Sequence, residues 1–210
     1  MNLIDTLIVQ ADQALRTLVP GAVVAAEANP ADGRSDSADF DSVARARSAA
    51  LMRINHTGEV CAQALYQGQA LTARDAGVRT DMQQASQEEF DHLAWCESRL
   101  QELQSGPSLL NPLFYGLSFG MGALAGAIGD KWSLGFVAET ERQVCRHLQE
   151  HLEQLPAGDL RSREILQRML QDEGTHASNA EQAGAAPLPA PVPQAMQWLA
   201  RVMKATTARL

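Results

Sequence analysis

The chain is poor in several features that would otherwise direct its reading. It has three cysteines, Cys61, Cys96 and Cys145, scattered and without a Cys-x-x-Cys pair. That argues against a disulfide framework and leaves no rubredoxin-type iron site, and it fits a reducing compartment. Its 17 basic residues are outnumbered by 25 acidic ones, for a formal charge of −8. A nucleic-acid-binding surface, which needs clustered positive charge, is not expected. No segment alternates polar and apolar residues in a sustained way, so strands are not expected. The opening residues carry Asp5 and Asp12 and lack a basic n-region, and they read as part of the folded protein. Asn55-His56-Thr57 matches a glycosylation sequon by chance.

What is present is helical periodicity. Leu3, Ile4, Leu7, Ile8, Ala11, Leu15 and Leu18 make one stripe, which predicts an amphipathic helix over residues 1–19. Residues 20–41 mix Pro, Gly, Ser and Asp and read as a linker. Residues 42–104 read as two helices broken near Arg74–Asp81, with Gly77 as the residue that closes the first. Residues 131–155 and 159–183 read as a second pair, divided at Pro156 and Gly158. The bundle is thus expected over 42–183. Residues 184–210 are expected to be a linker and a basic amphipathic helix, with Leu199, Val202 and Met203 opposite Arg201, Lys204 and Arg209.

The chemistry lies in a repeated spacing. Glu89-x-x-His92 and Glu173-x-x-His176 each place a carboxylate and an imidazole on one helical face. Two such pairs, each joined by one more glutamate from a partner helix, make the ligand set of di-iron and di-manganese bundles. In an antiparallel hairpin, residues at equal height straddle the turn symmetrically. Glu59 and His92 straddle Asp75–Gly77, and Glu141 and His176 straddle Gly158–Asp159. Each half therefore reads as Glu, turn, Glu-x-x-His, with 30 and 32 residues between its glutamates. Four carboxylates meeting in an apolar interior repel one another, and two divalent ions neutralise them. Mixed carboxylate and imidazole ligands favour iron or manganese over a thiolate-preferring ion. His56, His147 and Tyr66 are better placed to support the ligands than to be ligands, and Tyr66, two turns beyond Glu59, reads as packing in preference to a radical site. Glu88 and Glu139 are rival carboxylates, read as solvated or supporting.

Residues 105–129 contain no charge, six glycines and two prolines. The stretch is long enough to cross a bilayer. A single crossing would put Glu89 and Glu141 on opposite sides, so the segment must re-enter or lie along the interface. Leu109, Leu110, Leu113, Phe114, Leu117 and Phe119 are then the candidates to face membrane or substrate. An apolar surface beside an oxygen-activating site implies a lipophilic substrate, with the terminal amphipathic helices as further anchors.

The stretch "LMRINHTGEVCAQALYQGQ" at 51–69, the two Glu-x-x-His pairs and "AETERQV" closely resemble the demethoxyubiquinone hydroxylase family of ubiquinone biosynthesis. The resemblance covers roughly residues 43–210. It implies an all-α, ferritin-like four-helix bundle with a long apolar crossover and extra N- and C-terminal helices. It also implies that Glu59, Glu89, His92, Glu141, Glu173 and His176 bind two iron ions, with His147 near the metals. The implied protein is a monooxygenase that uses O2 to hydroxylate the ring of a demethoxyubiquinol. It would sit peripherally on the cytoplasmic side of the cell membrane, alongside other ubiquinone-biosynthesis proteins. Arg201 and Arg209 could then contact phospholipid or NADH as a reductant. Two other classes stay open: a ferritin- or rubrerythrin-like metal protein, and a non-catalytic subunit that chaperones quinones.

Overall fold

In a computed structural model of the chain, residues 3–209 are described, apart from the side chains of Leu3 and Leu7. Those two members of the N-terminal stripe, and the ends of the expected 1–19 and 184–210 segments, lie outside the described residues. All regular structure described is helical: α1 (Leu3–Leu18), α2 (Ser42–Thr72), α3 (Ala76–Glu102), α4 (Asn111–Ile128), α5 (Asp130–Gln154), α6 (Leu160–Gln182) and α7 (Pro191–Thr207). Helices α2, α3, α5 and α6 form the bundle.

Local chemistry sets the ends. Asp41, Asp75 and Asp159 precede α2, α3 and α6, and each side chain accepts from a backbone N–H of the first turn, at 2.8, 2.7 and 2.9 Å. Gly77 therefore does not close α2, as expected from the sequence, but lies in the first turn of α3. The end of α2 is made instead by Ala73, whose N–H donates to Gln69 O. Helices α3 and α6 end alike: Ser105 N donates to Leu100 O and Ala185 N to Ala180 O. The left-handed residue this requires is Gly184 after α6 (φ 101°) but Gln104 after α3 (φ 57°).

The uncharged stretch is a loop only over residues 105–110. Its central part is the continuous helix α4, which runs beside α2 from Asn111, near Thr57, to the α2–α3 turn. There Gly129 joins it directly to α5, and the Asp130 carboxylate accepts from Arg74 N and Asp75 N. Close packing explains its glycines. A Cβ on Gly68 would strike the backbone at Phe119 and Ala123, and one on Gly122 would strike the backbone of Leu65. Asn111, Tyr115, Ser118, Gly122, Ala125 and Gly126 face inward. Leu109, Leu113, Leu117, Leu124 and Ile128 are exposed, and Leu110, Phe114 and Phe119 are partly so. Among the described residues, no helix is long and apolar enough to cross a membrane.

Residues 20–41 lack regular structure, as expected, but they are packed. Ala31 and Phe40 are buried in the main core, Gly21 N donates to Glu97, and Ala26 N donates to Asp91. Helix α1 lays Ala14 and Leu18 against Phe90, Leu93 and Tyr115 and turns Ile4, Ile8 and Leu15 outward. The core divides along the bundle axis. One cluster gathers Met52, Trp95, Leu148 and Met169, and another gathers Tyr66, Met82, Ala138 and Ala180. On every bundle helix the predicted ligands fall between these two levels.

Candidate metal centre

Helix α2 is the hub of the site, because its buried polar residues reach every neighbour. Asn55 Oδ1 accepts from His151 Nδ1 of α5 at 2.8 Å. Thr57 donates to Asn111 of α4 at 2.7 Å. Gln63 bonds Ser86 of α3, Tyr66 donates to Glu141 of α5 at 2.6 Å, and Gln67 accepts from Tyr115 of α4. Gln69 donates to Ser133 of α5 at 2.9 Å. These contacts account physically for a helix so rich in buried amides, since a buried polar group without a partner is costly.

Within that frame Glu59, Glu89, His92 and Glu173 converge, each offering a ligand atom within 4.8 Å of the others. His92 Nδ1 lies 3.1 Å from Glu89, 3.3 Å from Glu173 and 3.7 Å from Glu59. His176 Nδ1 lies 3.3 Å from Glu89 and 3.2 Å from Glu173. Glu89 and Glu173 thus stand between the two imidazoles. Glu141, held by Tyr66, completes the second half. All six side chains are buried. The outer nitrogens are also engaged: His92 Nε2 donates to Asp172 at 3.1 Å, and His176 Nε2 donates to Glu88 at 2.9 Å.

Protonation follows from that crowding. Burial, together with neighbouring carboxylates, raises the Glu59 and Glu141 carboxyls well above the usual range. Burial also disfavours the charged forms of Glu89 and of the histidines, but their mutual attraction prevails. Glu89 is held low, His92 is held high, and His176 is pushed up to about 12. Without ions the cluster balances its charge with protons. It is not saturated, however: Glu59 Oε2, Glu89 Oε1 and Glu141 Oε2 are buried and accept no hydrogen bond. Buried carboxylate oxygens without a hydrogen bond, in a cluster with two imidazoles, are a donor set that suits a pair of divalent cations.

The other sequence candidates fall elsewhere. His56 Nδ1 accepts from Asn111 at 3.3 Å, so it helps seat α4, and burial lowers its pKa to about 4. His147 packs on His151 with ring centroids 3.9 Å apart and the rings tilted by 57°, and neither of its nitrogens has a hydrogen bond. Burial lowers His147 to about 2. Tyr66 is more than packing, because its hydroxyl fixes a site carboxylate. Glu139 pairs with Arg142 and Arg146 outside the site. Arg201 and Arg209 are exposed. Asp172 and Asn111 escaped the sequence reading. The trace of Asp172 was the acid preceding each Glu-x-x-His glutamate. Two cavities adjoin the site. One of about 220 Å³ is lined by His176, Glu88 and Tyr66, and one of about 400 Å³ lies between α1, α2 and α3, with Tyr66 and Gln67 in its wall.

An all-helical bundle with inward glutamates and paired imidazoles defines the class of carboxylate-bridged metalloproteins of ferritin-like fold. A profile of the ubiquinone biosynthesis protein COQ7 family matches residues 46–207. The chain belongs to that family. It is 58% identical over 207 residues to the 3-demethoxyubiquinol 3-hydroxylase of Pseudomonas putida (strain GB-1), covering 99% of this chain and 96% of the relative. It is also 58% identical to the proteins of that name in Azotobacter vinelandii (strain DJ), over 98% and 95% of the two chains, and in Acinetobacter baumannii (strain ATCC 17978), over 97% and 96%.

Proposed function

We propose that the protein is a di-iron monooxygenase that hydroxylates the open ring position of a 3-demethoxyubiquinol, working at the surface of the cell membrane on its cytoplasmic side. The observation that carries this is the set of buried carboxylate oxygens of Glu59, Glu89 and Glu141 that accept no hydrogen bond, in a chain so similar to 3-demethoxyubiquinol 3-hydroxylases.

Glu59, Glu89 and His92 would hold one ion, and Glu141, Glu173 and His176 the other, with Glu89 and Glu173 between them. Bound iron(II) supplies reduction and activation of O2. The protein's own residues do the rest. The carboxylates neutralise the ions in a dry interior, Tyr66 orients Glu141, and Asp172 fixes the His92 imidazole. The reaction balances without a further reductant: a quinol gives two electrons, one oxygen atom enters the ring, and the other leaves as water. The product quinone then needs two electrons before it can act as a quinol again, and NADH is a candidate donor, with Arg201 and Arg209 as candidate contacts. The cavity beside His176 and the larger one below α1 are candidate routes for O2 and quinol.

Membrane attachment is supported by apolar side chains left in solvent on three helices. Ile8 on α1 is 62% exposed, Leu117 on α4 55% and Trp198 on α7 61%. Long helices that bury one face and expose aliphatic residues on the other suit an interface.

The test is anaerobic reconstitution of the protein with iron(II), then addition of O2 and a short-tailed demethoxyquinol. We expect oxygen uptake and a hydroxylated product, and their abolition in Glu59→Ala. Quinone binding without turnover, unchanged in Glu59→Ala, would instead support the chaperone reading.

A further inference from the structure

If the cluster holds two ions, as proposed above, we infer that the two positions are unequal: the ion at His92 is the more tightly held, and Asp172 is the positioning residue responsible. Both imidazoles turn Nδ1 toward the four glutamates and Nε2 away from them. The outer partners are crossed. Asp172, next to Glu173 on α6, accepts from His92 of α3, whereas Glu88, next to Glu89 on α3, accepts from His176 of α6. A carboxylate that fixes the proton on one ring nitrogen leaves the lone pair of the other directed at the ion, and it makes that nitrogen more basic.

The two crossed pairs are built differently. Both oxygens of Asp172 accept from Arg168 Nε, at 3.0 and 2.8 Å, and the side chain is a quarter exposed. Arg168 is itself held by Glu27 at 2.8 Å and lies over the ring of Trp95, which is buried 5.4 Å from the His92 ring. Among the described residues, no arginine or lysine pairs with Glu88; its ionic partner is His176 alone. The Glu88 side chain is 49% exposed, its remaining partner is Gln84 at 3.0 Å, and it borders the 220 Å³ cavity together with His176. Both outer hydrogen bonds are part-buried, but a carboxylate half in solvent is held in place more loosely than one that Arg168 fixes through both oxygens. The ligands show the same asymmetry. His92 belongs to the group already assembled within 4.8 Å, whereas Glu141 and His176 stand outside it.

The test is a stepwise titration of the ion-free full-length protein with Co2+, a redox-quiet probe, followed by visible absorption and calorimetry without O2. The expected result is two binding steps at least about tenfold apart. Asp172→Ala should weaken the first by about ten- to a hundred-fold. Asp172→Asn, which keeps an accepting oxygen, should fall between it and the unmodified protein. Glu88→Ala should shift the second step by less than about threefold. Two steps of equal affinity, or a loss in Glu88→Ala as large as in Asp172→Ala, would overturn the inference while leaving the metal centre intact. No cobalt uptake at all would overturn the metal centre itself. Should Asp172→Ala not fold, as judged by its helical circular dichroism, the step separation in the unmodified protein and the Asp172→Asn variant decide the matter.

Discussion

Tyr66 and Glu141 meet across 2.6 Å, the hydroxyl of α2 donating to Oε1 of a carboxylate on α5 whose Oε2 accepts nothing. Burial and the surrounding carboxylates raise the Tyr66 pKa, so it stays a neutral donor at physiological pH. This bond is one of several that join the two halves of the site, beside those of His92 to Asp172 and of His176 to Glu88.

Tyr66→Phe should therefore leave Glu141 without a hydrogen-bond donor in a dry interior. The expected loss is about 1–3 kcal/mol of ion-free stability in urea unfolding. Metal affinity should fall as well, because the carboxyl is driven further toward its neutral form. A variant that unfolds and binds Co2+ as the unmodified protein does would rule out that role.

Metal uptake should release protons. The imidazoles of His92 and His176 are raised from the usual 6.5, His176 to about 12, and Glu59 and Glu141 are also raised. The stabilisation that protonated His176 gives the ion-free protein is fully present below 6.5 and is lost as pH rises through about 12. A metal ion must displace these protons, so affinity should rise with pH between about 6 and about 8. Calorimetry in buffers of differing ionisation heat should count more than one proton released per ion pair, and an affinity that ignores pH would contradict this.

Gly122→Val should separate α4 from α2, since even a Cβ there meets the Leu65 backbone. The two helices cannot keep their spacing with any side chain between them. We expect a loss of about 1–3 kcal/mol or more and faster amide exchange along α4 than along α3. Substitution at Gly120, which has open space around it, should change stability little.

Arg99 is 2% exposed and binds Asp159 at 2.7 Å, Glu102 at 2.8 Å and Asp36 at 2.9 Å. Arg99→Ala leaves Asp159 buried opposite no cation and removes one of the ties, through Asp36, that hold residues 31–40 on the bundle end. A loss of about 3–5 kcal/mol is expected for removing one partner of a buried pair, measurable by urea unfolding. Proteolysis of the loosened 20–41 segment should accompany it.

That Glu59, Glu89, His92 and Glu173 meet was largely readable in one dimension, because helical spacing and hairpin symmetry are both local rules. Glu-x-x-His sets two groups on one face whatever surrounds them, and a turn between Asp75 and Gly77 matches Glu59 to His92 in height. The same locality misled at Gly77, where glycine chemistry suits a helix end but the Asp75 side chain captured the next helix start. Nothing local paired the glycines of residues 105–129 with Gly68; the two helices touch there because neither Gly68 nor Gly122 carries a side chain. Residues 20–41 carry no periodicity, so nothing along the chain announced that Ala31, Phe40 and Asp36 dock on the bundle.

The amino-acid sequence by itself determined the all-helical class, the two Glu-x-x-His faces and the partner glutamates, since each follows from backbone geometry over a few residues. Only the tertiary structure decided which outer acid holds which imidazole, that Tyr66 binds Glu141, and that His56 serves α4 while His147 packs on His151. Those outcomes depend on contacts between helices far apart in the chain, where distance and burial select one partner among several of equal chemistry.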